Sequence, residues 1–378
     1  LATKKKAKAA DLQGLSERDA KIALLKSKYP NITKLRKPIK PVPVEDCLPT
    51  PSISLNLITN EGGLRPGACV EYYGLEGTMK TWMALEMCRE SQQKYPDLSV
   101  AYFDPEHAVD KYIAQSKIGV DMGYLPGGFP KFDYFPEDDE VEPTLEDYLN
   151  RIYDYAASGL YSLIVLDSVA ASMSLWESEQ TDITNAKWGG PSIPMSKAMK
   201  RIKAVAAKTG TRIWYVNQLR TTTVSTPSGN IAKDEPGGGK AIRYAATHRY
   251  KVGWAKKDAD YAMLRFTAEK NKYGPPWQTV EVPVVMGQGI DKEADLIQTA
   301  ERFGLIRKSG NWFYTLDGEA IGNGLRQAAE NLRKKPEEYT ALYAAVLDKG
   351  LPKEDLDTPL IDQPEPHEED DAGLPGQE

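Results

Sequence analysis

Residues 74–81 read Gly-Leu-Glu-Gly-Thr-Met-Lys-Thr, between the apolar run Ala68-Cys69-Val70-Glu71-Tyr72-Tyr73 and a helical stretch from Trp82 to Glu90. Strand, glycine-bearing turn, Lys-Thr and helix form the layout of a phosphate-binding P-loop. In such a loop backbone N–H groups and a helix N-terminus converge on an anion. Gly74, Glu76, Gly77, Thr78 and Met79 would wrap the phosphates, Lys80 would reach the β/γ-phosphates, and the Thr81 hydroxyl would bind Mg²⁺. A nucleoside triphosphate is the expected ligand. The usual pattern, G-x-x-x-x-G-K-[ST], has glycine where Met79 stands. Either φ is negative there and Met79 is tolerated, or Met79 weakens nucleotide binding. Taken alone, the octet also fits a loop before an ordinary helix.

Further chemistry-bearing residues sit at the ends of apolar runs. Ser162-Leu163-Ile164-Val165-Leu166-Asp167-Ser168 is a buried-strand pattern that delivers Asp167 to a carboxyl edge, where open α/β sheets bind ligands. Asp167 is the candidate Mg²⁺-side acid. Tyr102-Phe103-Asp104-Pro105-Glu106 is a second strand ending in acids. Glu106 is the candidate general base for an attacking water, and Asp104 before Pro105 also reads as a helix N-cap. Ile213-Trp214-Tyr215-Val216 ends in Asn217 and Gln218, and Gln218 is placed to sense a γ-phosphate. Residues 219–237 follow with no core-forming pattern, and loops of that length are uncommon in compact domains unless functional or disordered. They lead into Gly237-Gly238-Gly239-Lys240, whose amides can approach phosphates. A second loop, 177–194, carries Trp188 and runs into a helix with Ser196, Lys197, Lys200, Arg201 and Lys203. An aromatic beside hydroxyls and cations suits single-stranded nucleic acid; a solvated basic face with a partly buried Trp188 is the alternative. Lys270 and Lys272 close a strand, either as a surface charge pair or, in an oligomer, as contacts to a neighbour's phosphates.

The elements that must position these residues follow from pattern and composition. With 378 residues, 41% hydrophobic and 27% charged, the chain is an ordinary globular composition with room for two or three units. No apolar stretch reaches the ~18 residues of a membrane span, and residues 1–43 hold no apolar core of signal-peptide type. Three cysteines without metal-ligand spacing imply reduced thiols and a cytoplasmic setting. The net charge of −6 hides a basic head and an acidic tail. Residues 1–45 read as a short amphipathic helix (Asp11 to Lys28) and a Pro/Lys-rich linker. Residues 46–290 read as an α/β core whose mostly parallel, twisted sheet is flanked by helices. Its strand candidates are Val100–Phe103, Leu163–Leu166, Ile213–Val216, Arg249–Val252, Met263–Ala268 and Thr279–Val285. Residues 291–350 read as a small α+β domain, and 351–378 as an acidic disordered tail.

In this order, the motifs resemble the bacterial RecA recombinase family across roughly Asp46 to Lys349. The segments that carry the likeness are SISLNLITNEGGLRPGACVEYYGLE (53–76), DPEHAVD (104–110), IGVD (118–121), LIVLDSVAA (163–171), SKAMKRI (196–202), VNQLR (216–220), GGKAIRYA (238–245), EKNKYGPP (269–276) and GQGID (287–291), with GLIRKSGNWF (304–313) matching the family's small C-terminal domain. The resemblance implies a RecA-like P-loop ATPase core. It implies an ATP- and Mg²⁺-dependent homologous recombinase that polymerises on single-stranded DNA and exchanges it with homologous duplex DNA. Such a protein would act in a bacterial or phage-infected cell.

By that resemblance Lys80, Thr81, Glu106 and Asp167 keep their roles, and Gln218 couples the γ-phosphate to the second DNA loop. Asp110 and Tyr112 fall at the nucleotide, Tyr112 one place before the family's adenine-stacking position at Ile113. Lys270 and Lys272 contact ATP on the adjacent subunit. Ser196, Lys200, Arg220, Gly238 and Gly239 lie along DNA, with Trp188 and Lys240 beside them. The N-terminal helix docks on a neighbour and builds a helical filament. Two other readings stay open: a DNA-coating mediator that binds ATP and hydrolyses it poorly because of Met79, and a ring-forming helicase motor.

Overall fold

The computed structural model describes residues 42–135, 143–172, 192–226, 229–237, 240–258 and 260–352, with backbone alone at 192–194 and 220–233. The expected helix from Asp11 to Lys28 and the acidic tail lie outside these residues. Everything below belongs to the compact unit that begins at Val44.

The chain enters through helix α1 (Ile53–Ile58) and strand β1 (Cys69–Gly74), then helix α2 (Lys80–Lys94). Strands β2 (Ser99–Phe103) and β3 (Phe132–Phe135) lead to helix α3 (Leu145–Ser158) and strand β4 (Tyr161–Leu166). Helix α4 (Ser192–Thr209), strands β5 (Arg212–Thr226) and β6 (Gly229–Pro236), and helix α5 (Lys240–Ala245) follow. Strands β7 (His248–Lys256), β8 (Tyr261–Asn271), β9 (Gln278–Val285) and β10 (Gly289–Ile290) complete the core. The main sheet runs β10-β9-β8-β7-β1-β5-β4-β2-β3, with β6 attached to β5. From β7 to β3 neighbouring strands are parallel; β8, β9 and β10 are added antiparallel.

Side chains along each central strand alternate between two cores, as a period-two backbone requires. Val70, Tyr72, Val100, Tyr102, Leu163, Val165 and Trp214 face α2, where Met83, Met87 and Cys88 meet them. Ala101, Phe103, Ile164, Leu166, Ile213 and Tyr215 face α3 and α4 through Tyr148, Leu149, Ile152, Met199 and Ile202. Covering both faces explains why these strands read as continuous apolar runs.

A smaller layer follows: helix α6 (Lys292–Arg302), a three-stranded antiparallel sheet of β11 (Arg307–Ser309), β12 (Trp312–Tyr314) and β13 (Ala320–Asn323), then helices α7 (Leu325–Arg333) and α8 (Pro336–Gly350). Its core of Leu296, Ile297, Phe313, Ala328 and Val346 also takes in Ile53 of α1. The joint is polar as well. Asp295 is fully buried and accepts from the Ser52 hydroxyl at 2.6 Å and the Ser54 hydroxyl at 2.5 Å. Among the described residues no helix is long and apolar enough to cross a membrane.

One segment differs from its sequence reading. Residues 219–226 and 229–236, expected to lack regular structure, are the extension of β5 and strand β6, paired antiparallel in register from Leu219 opposite Pro236 to Thr226 opposite Gly229. The β-branched run Thr221-Thr222-Thr223-Val224 favours extended backbone without needing a core face.

Candidate functional site

The carboxyl ends of β1, β5, β4 and β2 lie side by side, and the motif residues leave from those ends. Gly74 pairs with Gln218 across β1 and β5, and Leu166 pairs with Tyr215 and Phe103. Residues 76–82, Glu106, Asp167 and Gln218 thereby line one cavity of about 250 Å³. Gly74 has no alternative here, because a Cβ would lie 2.3 Å from the Val252 carbonyl oxygen.

Within the loop, Lys80 is nearly buried, and its ammonium donates to the Leu75 carbonyl at 2.8 Å; the Thr78 hydroxyl donates to the same oxygen at 2.7 Å. Burial pulls the Lys80 ammonium below its ordinary value, opposed by Asp167, Glu106 and Glu76. Met79 precedes α2 with φ +56° and ψ 31°, a left-handed conformation. The alternative of a negative φ is therefore corrected: methionine adopts the backbone that glycine takes freely. Its side chain is half-buried and packs with Trp82 against the core beneath α2.

Asp167 is buried and accepts from the Tyr102 hydroxyl at 2.7 Å, with the Thr81 hydroxyl within hydrogen-bonding reach. Burial raises its carboxyl to about 6, the Thr81 and Tyr102 hydrogen bonds holding it back. A hydroxyl and a carboxylate side by side at a cavity wall form a donor set suited to a hard divalent cation. Glu106 accepts from Gln218 Nε2 at 2.6 Å and from the Ser168 hydroxyl. Asp104 accepts from the Ala108 and Val109 amides at 3.2 and 2.9 Å and from the Tyr134 hydroxyl at 2.8 Å, so it holds the turn that presents Glu106.

Behind the cavity a buried polar chain ties the pocket to the β5–β6 hairpin. Asn217 Nδ2 donates to Glu71 Oε1 at 3.1 Å and to the Gly237 carbonyl at 2.8 Å, while the Gly237 amide donates to the Gln218 carbonyl at 3.2 Å. Glu71 is paired with Arg249, which also reaches Glu269 at 3.3 Å; Tyr73 donates its hydroxyl to Glu269.

The remaining expected residues are spread more widely. The Asp110 carboxylate accepts from the Tyr112 and Ile113 amides at 2.8 and 3.1 Å, and the Tyr112 side chain is exposed beyond the cavity wall. Ser196 and Lys200 are exposed on α4, and Lys240 is exposed at the start of α5. Arg220 lies on β5, where backbone alone is described; Trp188, Gly238 and Gly239 lie outside the described residues. Lys270 and Lys272 are at the other end of the sheet. Strand β8 runs antiparallel to β7, so Lys270 is level with Arg249 and Glu71 rather than with Gly74. Three residues of β1, about 10 Å at ~3.3 Å per residue, separate the level of Lys270 from Gly74 at the cavity, and Lys272, whose amide donates to the Thr247 carbonyl, lies further along. Tyr102, Ser168 and Trp82 join the site without having been singled out for it.

This geometry meets its relatives in the sequence comparisons. The RecA N-terminal domain model matches residues 30–291, and the RecA C-terminal domain model matches residues 294–350. The chain belongs to the RecA family. Proteins named Protein RecA from Bifidobacterium breve and Aquifex pyrophilus are each 32% identical to it, covering 84% and 87% of this chain and 77% and 90% of their own lengths. The Protein RecA of Frankia alni is 35% identical over 78% of this chain and 81% of its own. A solved structure described as the RadB recombinase aligns with a TM-score of 0.43 at 17% identity, over 61% of this chain and 92% of that one. By the two family models and the RecA relatives the chain is a RecA-type recombinase, its core a mostly parallel sheet between helices with a small antiparallel-sheet domain appended.

Proposed function

We propose that the cavity binds and hydrolyses ATP where two copies of the chain meet, and that its γ-phosphate controls the grip on a single DNA strand. The observation that carries this is the Gln218–Glu106 hydrogen bond at 2.6 Å, made at the foot of the β5–β6 hairpin. Gln218 joins the hairpin through its backbone and the hydrolytic carboxylate through its side chain. A γ-phosphate competing for the Gln218 amide would free Glu106 to orient water and would shift the hairpin base. That is how a small phosphate change biases a neighbouring element.

Mg²⁺, held by the Thr81 hydroxyl and the Asp167 carboxylate, would neutralise charge on the phosphate oxygens. Lys80, released from the Leu75 carbonyl, binds the β/γ-phosphates. Glu106 takes the proton of the attacking water, and Ser168 keeps the carboxylate turned toward it. Lys270 and Lys272 approach the triphosphate of an adjacent copy, since they lie at the far end of their own sheet. Head-to-tail stacking then builds a filament. Exposed Ser196, Lys200 and Lys240, with Trp188, Arg220, Gly238 and Gly239, follow the DNA backbone. The sequence itself is read by pairing between the held strand and homologous duplex. The setting is the cytoplasm of a bacterial or phage-infected cell.

Glu106→Gln keeps the shape and loses the base. DNA-stimulated phosphate release is expected to fall by about 10²–10⁴, while ATP-dependent assembly on single-stranded DNA persists. Wild-type protein releasing no more phosphate than Lys80→Ala would overturn hydrolysis and leave an ATP-bound DNA-coating protein.

A further inference from the structure

Three lysines from two separate elements converge at the sheet end away from the cavity. Lys270 lies near the end of β8 and Lys272 directly follows it, and Lys203 comes from α4, one turn beyond Lys200. The Lys203 and Lys272 ammonium groups lie within hydrogen-bonding reach of one another. Lys270 Nζ donates to the Arg243 and Tyr244 carbonyls of α5 at 2.7 and 3.3 Å. Among the described residues, no carboxylate forms an ion pair with any of the three. Glu71, the acid that acts on Lys270, is already held by Arg249 and Asn217. Burial pushes the adjacent Cys69 thiol up to about 12, so it stays neutral. Burial, with Lys272, Lys203 and Arg249 around it, brings the Lys270 ammonium down to about 8. Like charges gathered without an acid oppose one another until an anion joins them.

We infer that Lys203 is a third cation of the site between copies, binding with Lys270 and Lys272 the phosphates of a nucleotide held in the cavity of the adjacent copy. This rests on the reading that copies stack across the nucleotide, and adds to it a residue from the helix that also carries Ser196 and Lys200. Three cations at one spot match the clustered charges of a triphosphate. The backbone of a nucleic acid instead spaces single charges along the strand.

The test uses the full chain with single-stranded DNA, magnesium and increasing ATP, with assembly followed by light scattering. Lys203→Ala is expected to raise the half-saturating ATP concentration about ten-fold; Lys203→Arg stays within about two-fold of wild type. Wild-type assembly is expected to fall as pH passes about 8. In Lys203→Ala that edge moves to higher pH, because Lys270 loses a like-charged neighbour, a shift that a merely structural role would not produce. Lys203→Gln carries the same test if the alanine variant melts early. Lys203→Ala with wild-type ATP dependence and an unmoved alkaline edge overturns the inference alone. So does weaker DNA binding measured without nucleotide, which would assign the cluster to nucleic acid. Wild-type protein that fails to assemble at any ATP concentration overturns the stacking reading and this inference with it.

Discussion

Met79 holds left-handed backbone at φ +56° while its side chain packs against the core under α2. The conformation costs about 1–2 kcal/mol for a residue with a Cβ, and the packing offsets part of it. Met79→Gly relieves the backbone and loses the contact, so its unfolding free energy should stay within about 1 kcal/mol of wild type. Met79→Val, β-branched and shorter, should be at least ~1 kcal/mol less stable than Met79→Gly in urea titrations. Equal midpoints would mean that the loop relaxes out of this conformation. Glu86, on the same helix, is buried, and burial raises its carboxyl from 4.5 to about 7. The folded chain then keeps a proton that the unfolded chain releases. That contribution is complete below pH 4.5 and is lost as pH climbs through about 7. Urea midpoints should therefore decline across this window in wild type and decline less in Glu86→Gln.

At the scale of elements, the β5–β6 hairpin is the part tied most directly to the cavity, through Asn217. Asn217→Ala removes the donor to Glu71 Oε1, leaving that carboxylate with Arg249 alone, and the side-chain donor to the Gly237 carbonyl, which should cost about 1–3 kcal/mol. It should also speed proteolytic cleavage between residues 219 and 236; unchanged cleavage would show that the clamp does not restrain the hairpin. This element was also the least legible in the sequence. Burial on both faces makes a strand apolar throughout, so Val100–Phe103, Leu163–Leu166 and Ile213–Val216 stand out and fall within β2, β4 and β5. A hairpin that satisfies its own backbone needs no apolar face, and its threonines carry no periodicity to find. The acids at strand tips were legible for the same reason as the strands. Ser168 and Tyr102 were not, because a neutral hydroxyl announces nothing until strand order sets it beside a carboxylate. Nor was the Met79 backbone, since φ leaves no mark on composition.

At the scale of the whole molecule, one sheet carries the cavity at one end and Lys270 and Lys272 at the other. Two inactive chains should then complement each other. Lys80→Ala lacks a working pocket but offers good lysines; Lys270→Ala/Lys272→Ala offers the reverse. In an equimolar mixture, random stacking leaves about a quarter of junctions with both halves intact. Phosphate release should recover to about that fraction of wild type, although each variant alone is silent. No recovery on mixing would mean that each chain finishes its own site. The same polarity makes the two tips of any such polymer chemically different. At one tip a newcomer brings its lysines to a triphosphate already in place; at the other it brings the triphosphate to lysines that are waiting. If copies stack in this way, elongation has a direction, and a linear run contains one fewer finished site than it has members, so a solitary copy has none at all.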